Sequence, residues 1–109
     1  MYLFVAEILT RPGMEQRYEN LLRDVVGRLS AEPCFVRFSI GRSAGDPRLF
    51  LLHETWTSRL EYEAIREGPI FRDYLTQRIE LVEMISRKDW ELVEDISSVA
   101  LHLQGSRGS

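Results

Sequence analysis

Cysteine is nearly absent from this 109-residue chain, and histidine is almost as scarce: Cys34 alone of the first, His53 and His102 of the second. A single cysteine excludes an internal disulfide framework and any metal site built from several thiolates. Cys34 reads either as a small hydrophobe or as a reactive thiol, and no basic neighbour in sequence favours the thiolate. Long apolar runs are missing as well. None approaches the ~20 residues that a membrane span needs. There is no basic excess, because the net charge is −3 and the isoelectric point lies near 5.4. Neither nucleic acid nor an anionic membrane is therefore an expected partner. The apolar N-terminus lacks a basic leader and a small-residue cleavage site, so no signal peptide is expected and a cytoplasmic location is. Repeats and low-complexity segments are absent. So are metal-ligand spacings, a Ser/Cys–His–Asp set and a phosphate loop, since Gly41 and Gly45 lack the strand-to-helix context of a phosphate cradle.

What is present is ordinary globular material, 44% hydrophobic and 28% charged, sufficient for one domain with one core. The centre of the chain is the stretch 50–75. Phe50 to Trp56 reads as a strand, and Ser58 followed by Glu61 has capping-box spacing for a short helix ending at Arg66 or Glu67. Gly68-Pro69 breaks that helix and Pro69 begins another. Upstream, Tyr2 to Thr10 alternates with apolar residues on both sides, the pattern of a strand covered on both faces. Arg11-Pro12-Gly13 is a turn. Met14 to about Ser30 carries an amphipathic stripe of Tyr18, Leu21, Leu22, Val25 and Leu29, with Gly27 a mild cost inside it. Phe35 to Arg42 and Leu49 to Trp56 flank a turn at 43–47 and form an antiparallel hairpin. The third helix carries its stripe from Phe71 through Tyr74 to Val82 and Ile85. Arg87 to Val93 makes an exposed fourth strand. Residues 1–96 form the domain. Residues 97–109 form a tail, whose alternating Val99, Leu101 and Leu103 allow a short extra strand against a partner subunit.

The order β-α-β-β-α-α-β implies an α+β, ferredoxin-like fold: a four-stranded antiparallel sheet with all three helices on one face. Large apolar residues of the first and third strands are left on the other face. A second copy packed sheet to sheet is the simplest cover, so a homodimer is expected.

Candidate chemistry concentrates on the third strand. His53 faces opposite to Glu54 and Trp56, so one set meets the helices and the other the partner sheet. His53 reads as a core or interface histidine or as a catalytic base. Glu54 shares its face with Phe50, Leu52 and Trp56 and must find a partner or shift its pKa. Arg37, Arg72 and Arg78 are available for an ion pair; the other reading is a general base. Glu7 carries the same ambiguity. Trp56 and Tyr62 are placed to border one cavity between sheet and helices, joined by Tyr18, Phe71 and Tyr74, or else all five are core.

Four short motifs in order carry a resemblance: Arg11 to Glu15, Glu32-Pro33-Cys34, Phe50 to Trp56, and Gly68-Pro69-Ile70-Phe71 with Tyr74-Leu75. With them the chain, over positions 3 to 93, resembles the antibiotic biosynthesis monooxygenases, a family of dimeric α/β barrels. The resemblance implies a cofactor-independent monooxygenase acting on a small aromatic or quinol substrate, with no cofactor and no metal. Trp56, Tyr62, Glu54 and Arg37 would be catalytic, with His53 a further candidate. Many relatives carry a histidine in the short helix and another after the proline, where this chain has Ile65 and Ile70. That departure argues against histidine-dependent or haem-degrading chemistry. It also opens an alternative, a catalytically silent ligand-binding or assembly module. Isomerisation of a small sugar phosphate is a third option, disfavoured because no basic cluster is visible.

Overall fold

In a computed structural model, residues 1–94 are described. The elements run β1 (Tyr2–Thr10), α1 (Glu15–Leu29), β2 (Phe35–Arg42), β3 (Leu49–Trp56), α2 (Arg59–Arg66), α3 (Pro69–Arg78) and β4 (Val82–Glu91). The strands make one antiparallel sheet in the order β2-β3-β1-β4. The expected α+β, ferredoxin-like arrangement is therefore the one formed. The expected tail strand at 97–109 lies outside the described residues.

Local chemistry sets each boundary. At the first turn Met14 N–H donates to Arg11 O at 3.0 Å, and Gly13 takes φ +80°, a left-handed value that suits a residue without Cβ. The α1 stripe comes out as read, with Tyr18, Leu21, Leu22, Val25 and Leu29 buried. Ser58 caps α2 by accepting from the Glu61 amide at 3.1 Å, while the Glu61 carboxylate accepts from the hydroxyls of Thr57 and Ser58. Between α2 and α3, Gly68 N–H donates to Ile65 O at 2.9 Å, and a Cβ on Gly68 would sit 3.1 Å from that carbonyl. The chain thus turns tightly enough for Pro69 to start α3 at once.

The third helix and fourth strand differ from expectation. The helix stops at Arg78, and Val82 and Ile85 belong to β4, which begins five residues before Arg87. Residues Ile79, Val82 and Ile85 fit a helical spacing of three, but β1 offers an unpaired edge, and pairing Ile85 with Ile8 and Arg87 with Ala6 satisfies its backbone. Tertiary pairing overrides the local pattern.

Register assigns the faces. Tyr2, Phe4, Ala6 and Ile8 of β1 lie beside Trp56, Glu54, Leu52 and Phe50 of β3, and all eight are buried under the helices. The opposite face carries Leu3, Val5, Glu7 and Leu9 beside Thr55, His53, Leu51 and Leu49, with Met84, Ser86, Lys88 and Trp90 from β4.

Candidate functional site

A cavity of about 90 Å³ lies between the sheet and the helices. Phe4, Ala6, Leu52 and Glu54 form its floor, Tyr62 and Phe71 part of its roof, and Phe38, Leu75, Arg66, Arg78 and Arg87 also border it. An aliphatic cavity of ~150 Å³ takes up benzene. This space is smaller than that, large enough for only part of a ring.

Glu54 is the chemical centre. β3 presents it inward between Leu52 and Trp56, where it keeps 3% exposure. Its Oε1 accepts from Trp56 Nε1 at 3.1 Å. Desolvation disfavours its charge more than the Trp56 hydrogen bond and the nearby Arg87 and Arg66 favour it, and its pKa is pushed up to about 8. The carboxyl is thus neutral in a large fraction of molecules near pH 7.

Aromatic rings surround it. Tyr62 sits 5.1 Å from Trp56, 5.2 Å from Phe4 and 5.9 Å from Phe71 between ring centroids. Burial, reinforced by the Glu54 charge, raises the Tyr62 phenol well above its ordinary range, so it stays a hydrogen-bond donor. Behind Tyr74, the hydroxyls of Tyr18 and Tyr74 share a hydrogen bond of 2.7 Å. Burial raises both phenols too.

Arg87 crosses this floor. Its guanidinium lies 4.0 Å from the Phe4 ring centroid and donates to Tyr2 Oη at 2.8 Å and to Asp89 Oδ1 at 3.1 Å. A longer contact of 3.4 Å reaches Tyr62 Oη. Tyr2 also donates to Asp89 at 3.0 Å. Arg87 is therefore held by four neighbours before any ligand arrives.

Glu54, Tyr62, Phe71 and Tyr74 come together at the cavity as the sequence suggests. Trp56 and Tyr18 stand behind it, holding Glu54 and Tyr74. Arg37 does not join them: it lies beside Thr55 on the opposite face, because an irregularity in the β2–β3 register after Phe35 turns Phe38 rather than Arg37 toward Glu54. His53 is also on that opposite face, paired with Val5 and Ser39. The expected ion pair is not formed either. Among the described residues Glu54 has no salt-bridge partner; the Trp56 indole serves instead, and exposed Arg72 turns to Glu67 O. Glu7 is exposed. Ile65 and Ile70 pack against the core.

Arg66 and Arg87 are not among the site residues read from the sequence, where they only mark the ends of elements. Beginning the fourth strand at Arg87 hid its register; only pairing back to Val82 sets Arg87 beside the small Ala6, where a long side chain has room. The basic set of Arg66, Arg78 and Arg87 is thus assembled by the fold from residues far apart in the chain.

Solved structures similar in fold include the following three. A Deinococcus radiodurans protein provisionally named an antibiotic biosynthesis monooxygenase has a TM-score of 0.81 at 15% identity, covering 89% of this chain and 97% of its own. A Nitrosomonas europaea protein of the same provisional name gives 0.80 at 20% identity, covering 86% and 100%. PA3566 from Pseudomonas aeruginosa gives 0.78 at 19% identity, covering 85% and 94%. Identities this low carry the fold alone. No curated protein matches the chain in sequence. The family model for antibiotic biosynthesis monooxygenases matches residues 1–77, which include Glu54, Trp56, Tyr62, Phe71 and Tyr74 but stop short of Arg78 and Arg87. A match over that much of the chain, on this fold, means that the chain belongs to the antibiotic biosynthesis monooxygenase family.

Proposed function

We propose that the protein is a cofactor-independent monooxygenase that oxidises a small phenol or quinol at this cavity, working as a homodimer joined through the open sheet face. The observation that carries the reading is Glu54, a lone carboxyl in an aromatic cavity, with a pKa near 8 and one oxygen fixed by Trp56. A base is most effective when its pKa lies near the working pH, and a phenol of pKa ~10 is within its reach. Ionised Glu54 takes the phenol proton. The phenolate delivers electrons to O₂, and a C–O bond forms at a ring carbon para to the phenolate oxygen. Loss of the ring proton and cleavage of the O–O bond leave a quinone and water. Phenol plus O₂ equals quinone plus water, with all four electrons drawn from the substrate, so the sum requires no flavin, haem or metal. In this reading Tyr62 and Arg87, which border the same cavity, stabilise the negative charge that develops, and Trp56 acts as a positioning residue.

The apolar open face supports the dimer. Leu51, Met84 and Trp90 lie there at 45%, 59% and 52% exposure, beside half-buried Leu3, Val5 and Leu9. The alternative, a catalytically silent ligand-binding or assembly module, draws on Ile65 and Ile70, which pack into the core where relatives are read as carrying histidines.

Oxygen uptake with a panel of phenols and quinols, with no flavin or metal added, tests the reading. Wild type should consume O₂, and Glu54→Gln should lower kcat by about 10²–10⁴-fold. Uptake unchanged in Glu54→Gln removes Glu54 from the chemistry. Ligand binding without uptake across the panel leaves the silent module.

A further inference from the structure

We propose that the molecule this cavity takes is an aromatic anion, its ring directed toward Glu54 and its carboxylate met at the mouth by the guanidiniums of Arg66 and Arg78. The proposal rests on the oxygenase reading for the ring and extends it to the charge.

The charges bordering the cavity are unevenly matched. Three arginines, Arg66, Arg78 and Arg87, meet one acid, Glu54, in a chain whose net charge is −3. Arg87 is already engaged by Tyr2 and Asp89. Arg66 and Arg78 have no such acid: among the described residues neither has a carboxylate within ion-pair distance, and Arg78 meets Tyr74, overlying its ring at 5.4 Å and interacting with its hydroxyl. Arg11, Arg17, Arg37 and Arg72 also lack a carboxylate partner among the described residues, but none of them borders the cavity. Other arginines away from it are paired. Arg23, Arg28, Arg42, Arg48 and Arg59 each hold a carboxylate at 3.1 Å or closer. A place in the last turn of α2 and of α3 gives each of the two cations a reason to exist, since it complements the helix end. It gives no reason for both to border the same cavity.

Size points the same way. A cavity of about 90 Å³ admits part of a ring, so a substituent on the far side stays in the mouth, hydrated and beside the arginines. A carboxylate there keeps its solvation and gains charge-assisted hydrogen bonds, whereas one carried to the floor would be stripped of water beside Glu54. The interior lining of Phe4, Leu52, Tyr62 and Phe71 suits a ring and not a sugar.

Calorimetric titration with 3-hydroxybenzoate and with 3-hydroxybenzamide, its uncharged counterpart of similar shape, tests this. In wild type the acid should bind at least about tenfold tighter than the amide, and added salt should narrow the gap. In Arg66→Gln/Arg78→Gln the advantage should fall below about twofold with the amide unaffected. The single variants divide the effect between the two arginines. Thermal unfolding of each variant confirms that it is folded. Equal binding of acid and amide, an acid preference that survives the double substitution, or binding of neither ligand overturns the proposal. Failure here is separable from failure of the oxygenase reading: neutral quinols oxidised without an acid preference sink this inference alone. An acid preference that depends on the arginines, without O₂ uptake, sustains the ligand class and sinks the oxygenase.

Discussion

On the helix side of the sheet, Phe4, Ala6, Ile8, Phe50, Leu52 and Trp56 are each 4% exposed or less, while on the other side Leu51, Met84 and Trp90 keep 45% to 59%. On β3 the two sets are one residue apart, Leu51 standing between Phe50 and Leu52, while Met84 and Trp90 come from β4. Each side also carries a glutamate and an arginine: Glu54 and Arg87 under the helices, Glu7 and Arg37 on the open side. Only the covered pair is chemically distinctive. Glu54 has lost its water and become a weak acid, and Arg87 is wedged between Phe4, Tyr2 and Asp89. Residue type is the same on both sides; burial makes the difference.

The comparison breaks first if the open side is finished by nothing. At micromolar concentration the wild-type chain should run at twice its monomer mass by light scattering. Leu51→Glu should weaken the dimer by about a thousandfold or more, because a two-fold interface buries the new carboxylate twice. A wild-type monomer, or a Leu51→Glu dimer as tight as wild type, would remove the sheet-to-sheet pairing.

A second test isolates the covered side. The folded protein holds the Glu54 proton up to about pH 8, whereas an unfolded chain releases it near the ordinary value of 4.5. Between those values the native state binds more protons, so stability falls as pH rises. The contribution of neutral Glu54 is complete below pH 4.5 and is lost by about pH 8, roughly 5 kcal/mol at most. Urea unfolding at pH 5, 7 and 9, at one protein concentration, should show that decline in wild type. Glu54→Gln should flatten it. A slope that persists in the variant would assign the decline to another group.

The sequence made some of this contrast visible and hid the rest for identifiable reasons. Alternation on β1 and β3 and the Ser58 cap depend on neighbours in the chain, so strand, helix and face were legible. That Glu54 and His53 face apart follows from the two-residue period alone. The partner of Glu54 was not legible. Arg37 looked available until the irregular register after Phe35 turned Phe38 inward, and a break in register has no signature in composition. Arg87 was hidden by the ambiguous run from Ile79 to Ile85, whose apolar spacing suits a helix and whose strand state is decided by the free edge of β1. Arg66 was visible only as a possible end of the short helix and Arg78 only as a possible partner for Glu54; their meeting at one cavity is a product of tertiary structure.

The smallest effect, and the most direct contrast of the two sides, lies in the arginines. Truncating Arg87 to alanine removes the stack on Phe4 and the donors to Tyr2 and Asp89, leaving the buried Tyr2 phenol and the exposed Asp89 carboxylate with each other but one partner fewer. That should cost about 2–3 kcal/mol in chemical denaturation. Arg37→Ala should cost less than about 0.5 kcal/mol, since its side chain is exposed and makes no ion pair among the described residues. Arg87→Lys is the sharper variant: it keeps the charge but cannot fork between Tyr2 and Asp89 while lying flat on a ring, so it should recover under half of the loss. Full recovery by lysine would mean that charge alone is needed there. Equal costs for Arg87→Ala and Arg37→Ala would mean that the covered side of the sheet confers nothing on its arginine that the open side does not.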